Sequence, residues 1–110
     1  MNRPYLPLDI IDTYLPAMRR QEVSVVARSR VGFLAAYRRA DGDPANLSAY
    51  WRQRREGFVA RHMAQVTKRG ESLFKDGEPT RRHLALIAWA YSPRRARLSS
   101  RSKHFLRAKR

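Results

Sequence analysis

Residues 48–70 read SAYWRQRREGFVARHMAQVTKRG, and this stretch decides the fold. Trp51, Phe58, Val59, His62, Met63 and Val66 recur by three, four and seven, the spacing of one helix face. Ser48 is suited to cap the helix, because its hydroxyl can accept a free backbone N–H of the first turn. Gly70 supplies the stop. Around the rest of the circumference lie Arg52, Arg54, Arg55, Arg61 and Arg69, with Glu56 the one acid among them. The segment predicts a long helix with an apolar stripe and a basic remainder.

Toward the C-terminus, Asp76-Gly77 predicts a turn, and Pro79-Thr80 opens a last core helix over 81–91. Residues 84–91, LALIAWAY, are apolar nearly all round, as in a buried central helix. Ser92-Pro93 is expected to end it. Toward the N-terminus, residues 24–40 also read as helical, with Val26, Phe33, Leu34 and Tyr37 apolar and Arg28, Arg38 and Arg39 polar. Ser24 and Ser29 are both candidate caps, so a break near Ser29 fits the pattern, and Asp41-Gly42 closes the segment. Pro4 and Pro7 hold an extended start. From Leu8 to Arg20, Leu8, Ile11, Leu15 and Met18 mark another helical face. Pro16 inside it predicts either a kink or two short helices meeting at Leu15. No alternating strand pattern stands between turns. The expected fold is all-α, a compact bundle of four or five helices over residues 1–93.

Composition changes abruptly after Pro93. Residues 94–110 hold eight basic side chains and no acid: Arg94, Arg95, Arg97, Arg101, Lys103, Arg107, Lys109 and Arg110. Residues 1–93 carry sixteen bases against nine acids. With Leu98, Phe105 and Leu106 as its large apolar residues, the segment is expected to be a disordered basic arm, unable alone to offset the entropy of ordering. The whole chain of 110 residues has a formal charge of +15, and twenty of its 24 cations are arginine. So much like charge repels itself unless a polyanion neutralises it. A guanidinium matches phosphate oxygens with a planar donor fork, although base composition of a genome also enriches arginine. It does not explain the shortage of acids.

Catalytic chemistry has little to build on. The chain has no cysteine, which excludes disulfides, thiolate nucleophiles and cysteine-based metal centres. His62, His83 and His104 fall in three segments, none with a second ligand at a spacing of three or four. His62 is expected at the core boundary and His83 as a polar surface contact. The carboxylates are scattered, and residues 70–77 lack the Gly-Lys-Ser/Thr of a phosphate loop. No catalytic residue, metal site or cofactor is expected. The start of the chain has neither the basic residues nor the apolar run of a signal peptide, and no stretch is long enough to span a bilayer. A soluble intracellular protein is the expectation.

Three elements fit nucleic acid. The arm is first, because phosphate neutralisation needs only dense positive charge and releases counterions. The arginines of residues 52–69 are second, set against the ordinary reading of a solvated face. Arg81-Arg82 at the start of the last helix is third, with pairing to Asp76 and Glu78 as its alternative. Residues 24–37 have the length of a helix-turn-helix, but Ala27 and Gly32 are misspaced for one. Trp51, Phe58, Trp89 and Tyr91 sit at core spacings, so they do not predict a stacking platform.

Three blocks carry a resemblance: residues 26–38 (VARSRVGFLAAYR), Arg54-Arg55 with residues 58–62 (FVARH), and residues 77–89 from Gly77-Glu78-Pro79-Thr80-Arg81 to Trp89. Over residues 24–93 the chain resembles small basic proteins encoded in tailed-phage genomes. The resemblance implies a viral or prophage setting, with the bacterial cytoplasm or the virion as its place. The residues themselves predict a non-catalytic nucleic-acid-binding protein, directed at DNA or RNA phosphates with little sequence preference. The alternative is a phage-encoded interaction module, an inhibitor of a host machine or a minor virion component, whose basic surface meets an acidic protein. A component of a ribonucleoprotein particle is a third reading.

Overall fold

In the computed structural model α1 (Leu8–Arg20), α2 (Phe33–Arg39), α3 (Ala49–Arg69) and α4 (Arg81–Ile87) follow in order, with a hairpin of β1 (Phe74–Lys75) and β2 (Glu78–Pro79) between the last two. The structure describes residues 3–98. α1 packs on α4, and α3 lies against both α2 and α4. The protein is helix-rich, but the hairpin corrects the all-α expectation. Asp76 and Gly77 both take positive φ, 54° and 79°, as the tight two-residue hairpin turn requires. Phe74 then faces Pro79, and Lys75 faces Glu78. Strands of two residues are too short to print an alternating pattern.

Two helices form where the sequence places them. In α3 the Ser48 hydroxyl accepts the Trp51 N–H at 3.2 Å, and Gly70 ends the helix in the left-handed conformation at φ 61°. α1 has Asp9 in its first turn and Arg19 and Arg20 in its last, matching the helix dipole. It runs unbroken through Pro16, so the expected division at Leu15 does not occur. Pro16 is exposed, while Ile11 and Met18 on the other side are buried.

Residues 24–32 depart from the helical expectation and form a chain of turns. Glu22 and Ser24 turn the backbone with positive φ, and the Leu34 N–H reaches back to the Ala27 carbonyl at 3.0 Å. Gly32 fixes this path. A Cβ there would stand 2.1 Å from the Val26 carbonyl oxygen and 2.6 Å from that of Ala27. α2 therefore starts at Phe33, and Val26, expected on an apolar face, is exposed.

α4 also ends early, at Ile87 rather than Tyr91. Ala90 takes φ 59°, and the Tyr91 N–H bonds back to the Leu86 carbonyl at 3.1 Å. The released Ala90 carbonyl accepts the Leu6 N–H at 2.8 Å, tying the extended N-terminal segment beside the end of α4. Beyond Pro93 the chain stays packed: Leu98 is 5% exposed within the core. Residues 94–98, assigned to the basic arm from the sequence, thus end on a side chain that packs with the core.

Two features hold these pieces together. The first is a column of near-parallel rings. Phe33 stacks on Trp89 at 5.0 Å, Trp89 on Phe58 at 4.6 Å, and Phe58 on His62 at 4.0 Å. It joins α2, the end of α4 and α3. The second is Arg55, wholly buried on the inner side of α3. Its Nε donates to the Trp89 carbonyl, Nη1 to the Arg3 carbonyl and the Glu56 carboxylate, and Nη2 to the carbonyls of Pro4 and Ala90. All five guanidinium N–H groups are thereby used. The Tyr5 ring covers its face at 3.7 Å.

Arg55→Leu is expected to lower the unfolding free energy by about 3 to 5 kcal/mol, the cost of leaving four carbonyls without their donor and taking from Glu56 its buried partner. Arg55→Lys should lose most of that as well, since an ammonium offers three donors where five acceptors wait. Urea unfolding checks both, and a loss under about 1 kcal/mol would contradict the assignment. Trp89→Ala should cost about 3 to 5 kcal/mol in the same assay, as for other buried large aromatics.

Candidate nucleic-acid interface

The third helix distributes its arginines unequally. Arg54, Arg61 and Arg69 are exposed and Arg52 is half-buried. Arg55 is withdrawn from the expected phosphate-binding set, because it has no exposure and no donor left for a phosphate. Arg54 lies over the Tyr50 ring at 5.5 Å and donates to the Tyr50 hydroxyl at 3.2 Å. Between Arg54 and Arg61 is a recess of about 280 Å³, floored by Phe58 and Trp89. Gly57 also lines it, and a Cβ there would stand 3.3 Å from Arg61 Nη1, the end of an exposed side chain free to give way.

A larger cavity of about 460 Å³ lies on the other flank of Phe58, lined also by Ser24, His62, Glu71, Arg81 and Arg82. Arg82 is held in its wall by a two-pronged bond to Glu71, Nε to Oε1 and Nη2 to Oε2, both at 2.9 Å. Its Nη1 donates to His62 Nδ1 at 2.7 Å. Since a guanidinium has no acceptor, Nδ1 is the bare nitrogen and the ring proton sits on Nε2. Arg81 is exposed and donates to the Gln21 carbonyl. The alternative pairing of these arginines with Asp76 and Glu78 does not form: Arg82 takes Glu71 instead, which lies next to it because the hairpin folds residues 71–73 back over the start of α4.

Of the arm, Arg94, Arg95 and Arg97 are described and exposed, and Arg97 stacks its guanidinium over the Phe74 ring at 4.2 Å. Arg101, Lys103, Arg107, Lys109 and Arg110 lie outside the described residues. Four further arginines, Arg19, Arg28, Arg30 and Arg38, surround a third hollow of about 360 Å³ between α1 and α2. From the sequence, Arg28 and Arg38 are only polar positions of residues 24–40, and Arg19 and Arg30 have no assigned role. Arg38 pairs with Asp12 there, and Arg28 Nε donates to the Val23 carbonyl.

His83 corrects the surface expectation outright, being fully buried. Its Nδ1–H donates to the Leu73 carbonyl at 2.8 Å, so Nε2 accepts from the Ser92 hydroxyl at 2.7 Å. Ser92 Oγ in turn accepts the Arg94 N–H at 3.0 Å. Burial pushes the His83 imidazole below its ordinary value near 6.5. Burial and then the Arg82 charge do the same to His62. Glu71 is held below the usual carboxylate range chiefly by the Arg82 hydrogen bonds.

Both imidazoles are therefore neutral in the fold and take up a proton more readily in the unfolded chain. Stability should be level well above pH 6.5 and fall as pH drops from about 6.5 toward the lowered folded values, because over that interval the unfolded state binds more protons. Melting temperature measured from pH 7.5 to 5 should decline, and the decline should be shallower in His83→Gln. An unchanged slope in that variant would mean that the imidazole takes up its proton equally well in the folded and the unfolded chain.

Among the described residues no group of three or more His, Asp or Glu side chains is placed to hold a metal, and no helix is long and apolar enough to cross a membrane. Compared with known proteins, the chain matches no family model, no curated protein and no solved structure.

Proposed function

We propose that this is a non-catalytic nucleic-acid-binding protein that grips phosphates with little sequence preference. One observation carries the reading. Exposed guanidiniums at Arg54, Arg61 and Arg81 flank two recesses beside Phe58; among the described residues no acid lines the smaller, and Glu71, which lines the larger, is already engaged by Arg82. Positive charge left without carboxylates along a concave surface attracts a polyanion and releases its counterions. The residues after Leu98 add five cations and no acid. The setting we infer is intracellular and, from the resemblance, phage-encoded.

A second reading, a module that binds a protein, is favoured by Val25, Val26 and Val31. These are 60%, 76% and 81% exposed on the turns before α2. Competition separates the two: a generic polyanion displaces a nucleic acid, whereas a partner seated on the valines survives it.

The phosphate reading is tested by titrating single variants on two unrelated duplexes at several salt concentrations. Arg54→Ala, Arg61→Ala and Arg69→Ala should each weaken both duplexes equally and reduce the slope of log affinity against log salt by about one unit. Removing residues 99–110 should reduce it by about four to five. Discrimination between the duplexes by roughly 1 to 3 kcal/mol for any one arginine would instead identify it as reading a base. Unchanged slopes throughout would remove this surface from binding.

A further inference from the structure

We propose that the cavity at the end of the ring column receives one unpaired nucleotide of a bound strand, its base stacked on His62 and its phosphate against Arg81 and Arg82. This rests on the nucleic-acid reading above and adds to it a preference for single strands.

The column is the first argument. Phe33, Trp89, Phe58 and His62 lie within 17° to 23° of parallel at each step, and exposure grows along it from the buried Phe33 to the half-buried Phe58 and His62. Both faces of Phe58 are taken, by Trp89 and by His62. Among the described residues no ring stacks on the other face of His62, and His62 lines the cavity of about 460 Å³. That volume lies in the range of sites that hold small organic ligands, roughly 300 to 1,000 Å³. Every base offers a flat π-face, so a base placed there continues the column whatever its identity.

Preorganisation is the second. The imidazole is clamped by Phe58 on one face and by Arg82 at Nδ1, and Arg82 is itself locked by two bonds to Glu71. A platform already fixed loses little entropy when a ligand settles on it. Its Nε2–H remains a donor.

Charge is the third. Arg81 and Arg82 stand on the wall against Glu71, whose oxygens both accept from Arg82. Arg69 Nη1 is a further cation 3.8 Å from that carboxylate. The wall is thus net positive and carries donors suited to phosphate oxygens. Bases inside a duplex are covered on both faces by their neighbours and cannot present one to His62. The ligand that fits is a strand with an unstacked base.

The test uses the full chain and fluorescence anisotropy with three probes of equal length: a single-stranded DNA oligomer, the same oligomer made abasic, and a duplex. The wild-type protein should bind the single strand at least fivefold tighter than the abasic strand. His62→Ala should weaken the single strand by roughly five- to a hundredfold, the usual loss on removing a base-stacking ring, and leave the other two probes within about twofold. His62→Phe, which keeps a ring but no nitrogen, should retain the single-strand affinity. Melting curves check that each variant folds; should His62→Ala not fold, wild-type discrimination between the intact and abasic strands decides alone. Equal binding of those two by the wild type, with the duplex also bound, overturns the stacking site and leaves the phosphate reading standing. Failure to bind any of the three at low salt overturns that reading itself. Displacement of the strand by an equal concentration of a nucleoside monophosphate, or of an acidic tyrosine-bearing peptide, would give the cavity to that ligand and overturn the assignment to a strand.

Discussion

A single buried guanidinium decides how the N-terminal segment, α3 and the end of α4 meet. Arg55 draws carbonyls from Arg3 and Pro4 and from Trp89 and Ala90 onto one planar group, and Glu56 beside it balances the charge. A buried cation is tolerated only when its donors are satisfied and its charge is countered, and here both conditions hold. Lysine could not replace it, because the acceptors radiate in a plane. The early end of α4 follows from the same need. Had the helix continued to Tyr91, the backbone at Ala90 would not turn into the left-handed conformation that frees its carbonyl for Leu6 and Arg55.

Local signals in the sequence were readable wherever a cap or a turn residue acts on its own neighbours. The bounds of α3, the Asp41-Gly42 and Asp76-Gly77 turns and the cap at Ser48 are of this kind. The turns over 24–32 were not readable, because they depend on Gly32 lying against the carbonyls of Val26 and Ala27, a packing fact without a helical or strand period. Arg55 is more instructive. It stands four residues after Trp51 and four before Val59, on the apolar stripe itself, and that position is the signal that it faces inward. Counting it with the basic face ignored its register.

Much less of the candidate site could be read in advance. Exposed arginines on α3 follow from the helical period, but the recesses between them depend on Phe58 meeting a tryptophan 31 residues away. The ring column draws on three segments, so no spacing along the chain announces it. His83 was hidden for a similar reason: its partners Leu73 and Ser92 lie ten residues before it and nine after it, on either side of a helix too short to keep it at the surface. Glu71 reaches Arg82 only because the hairpin doubles the chain back.

The hydrogen bond from Leu6 to the Ala90 carbonyl joins positions separated by nearly the whole described chain. Together with the bonds of Arg55 to residues 34 to 52 positions away, it closes loops far longer than any within the helices. Local helices form quickly, whereas closing such long loops is slow and costs entropy before any contact rewards it. On the ribosome the consequence is directional. The first segment meets Tyr37 and Arg55 early, but the Leu6 N–H has no acceptor until residue 90 has been synthesised, so this last closure waits for the end of α4.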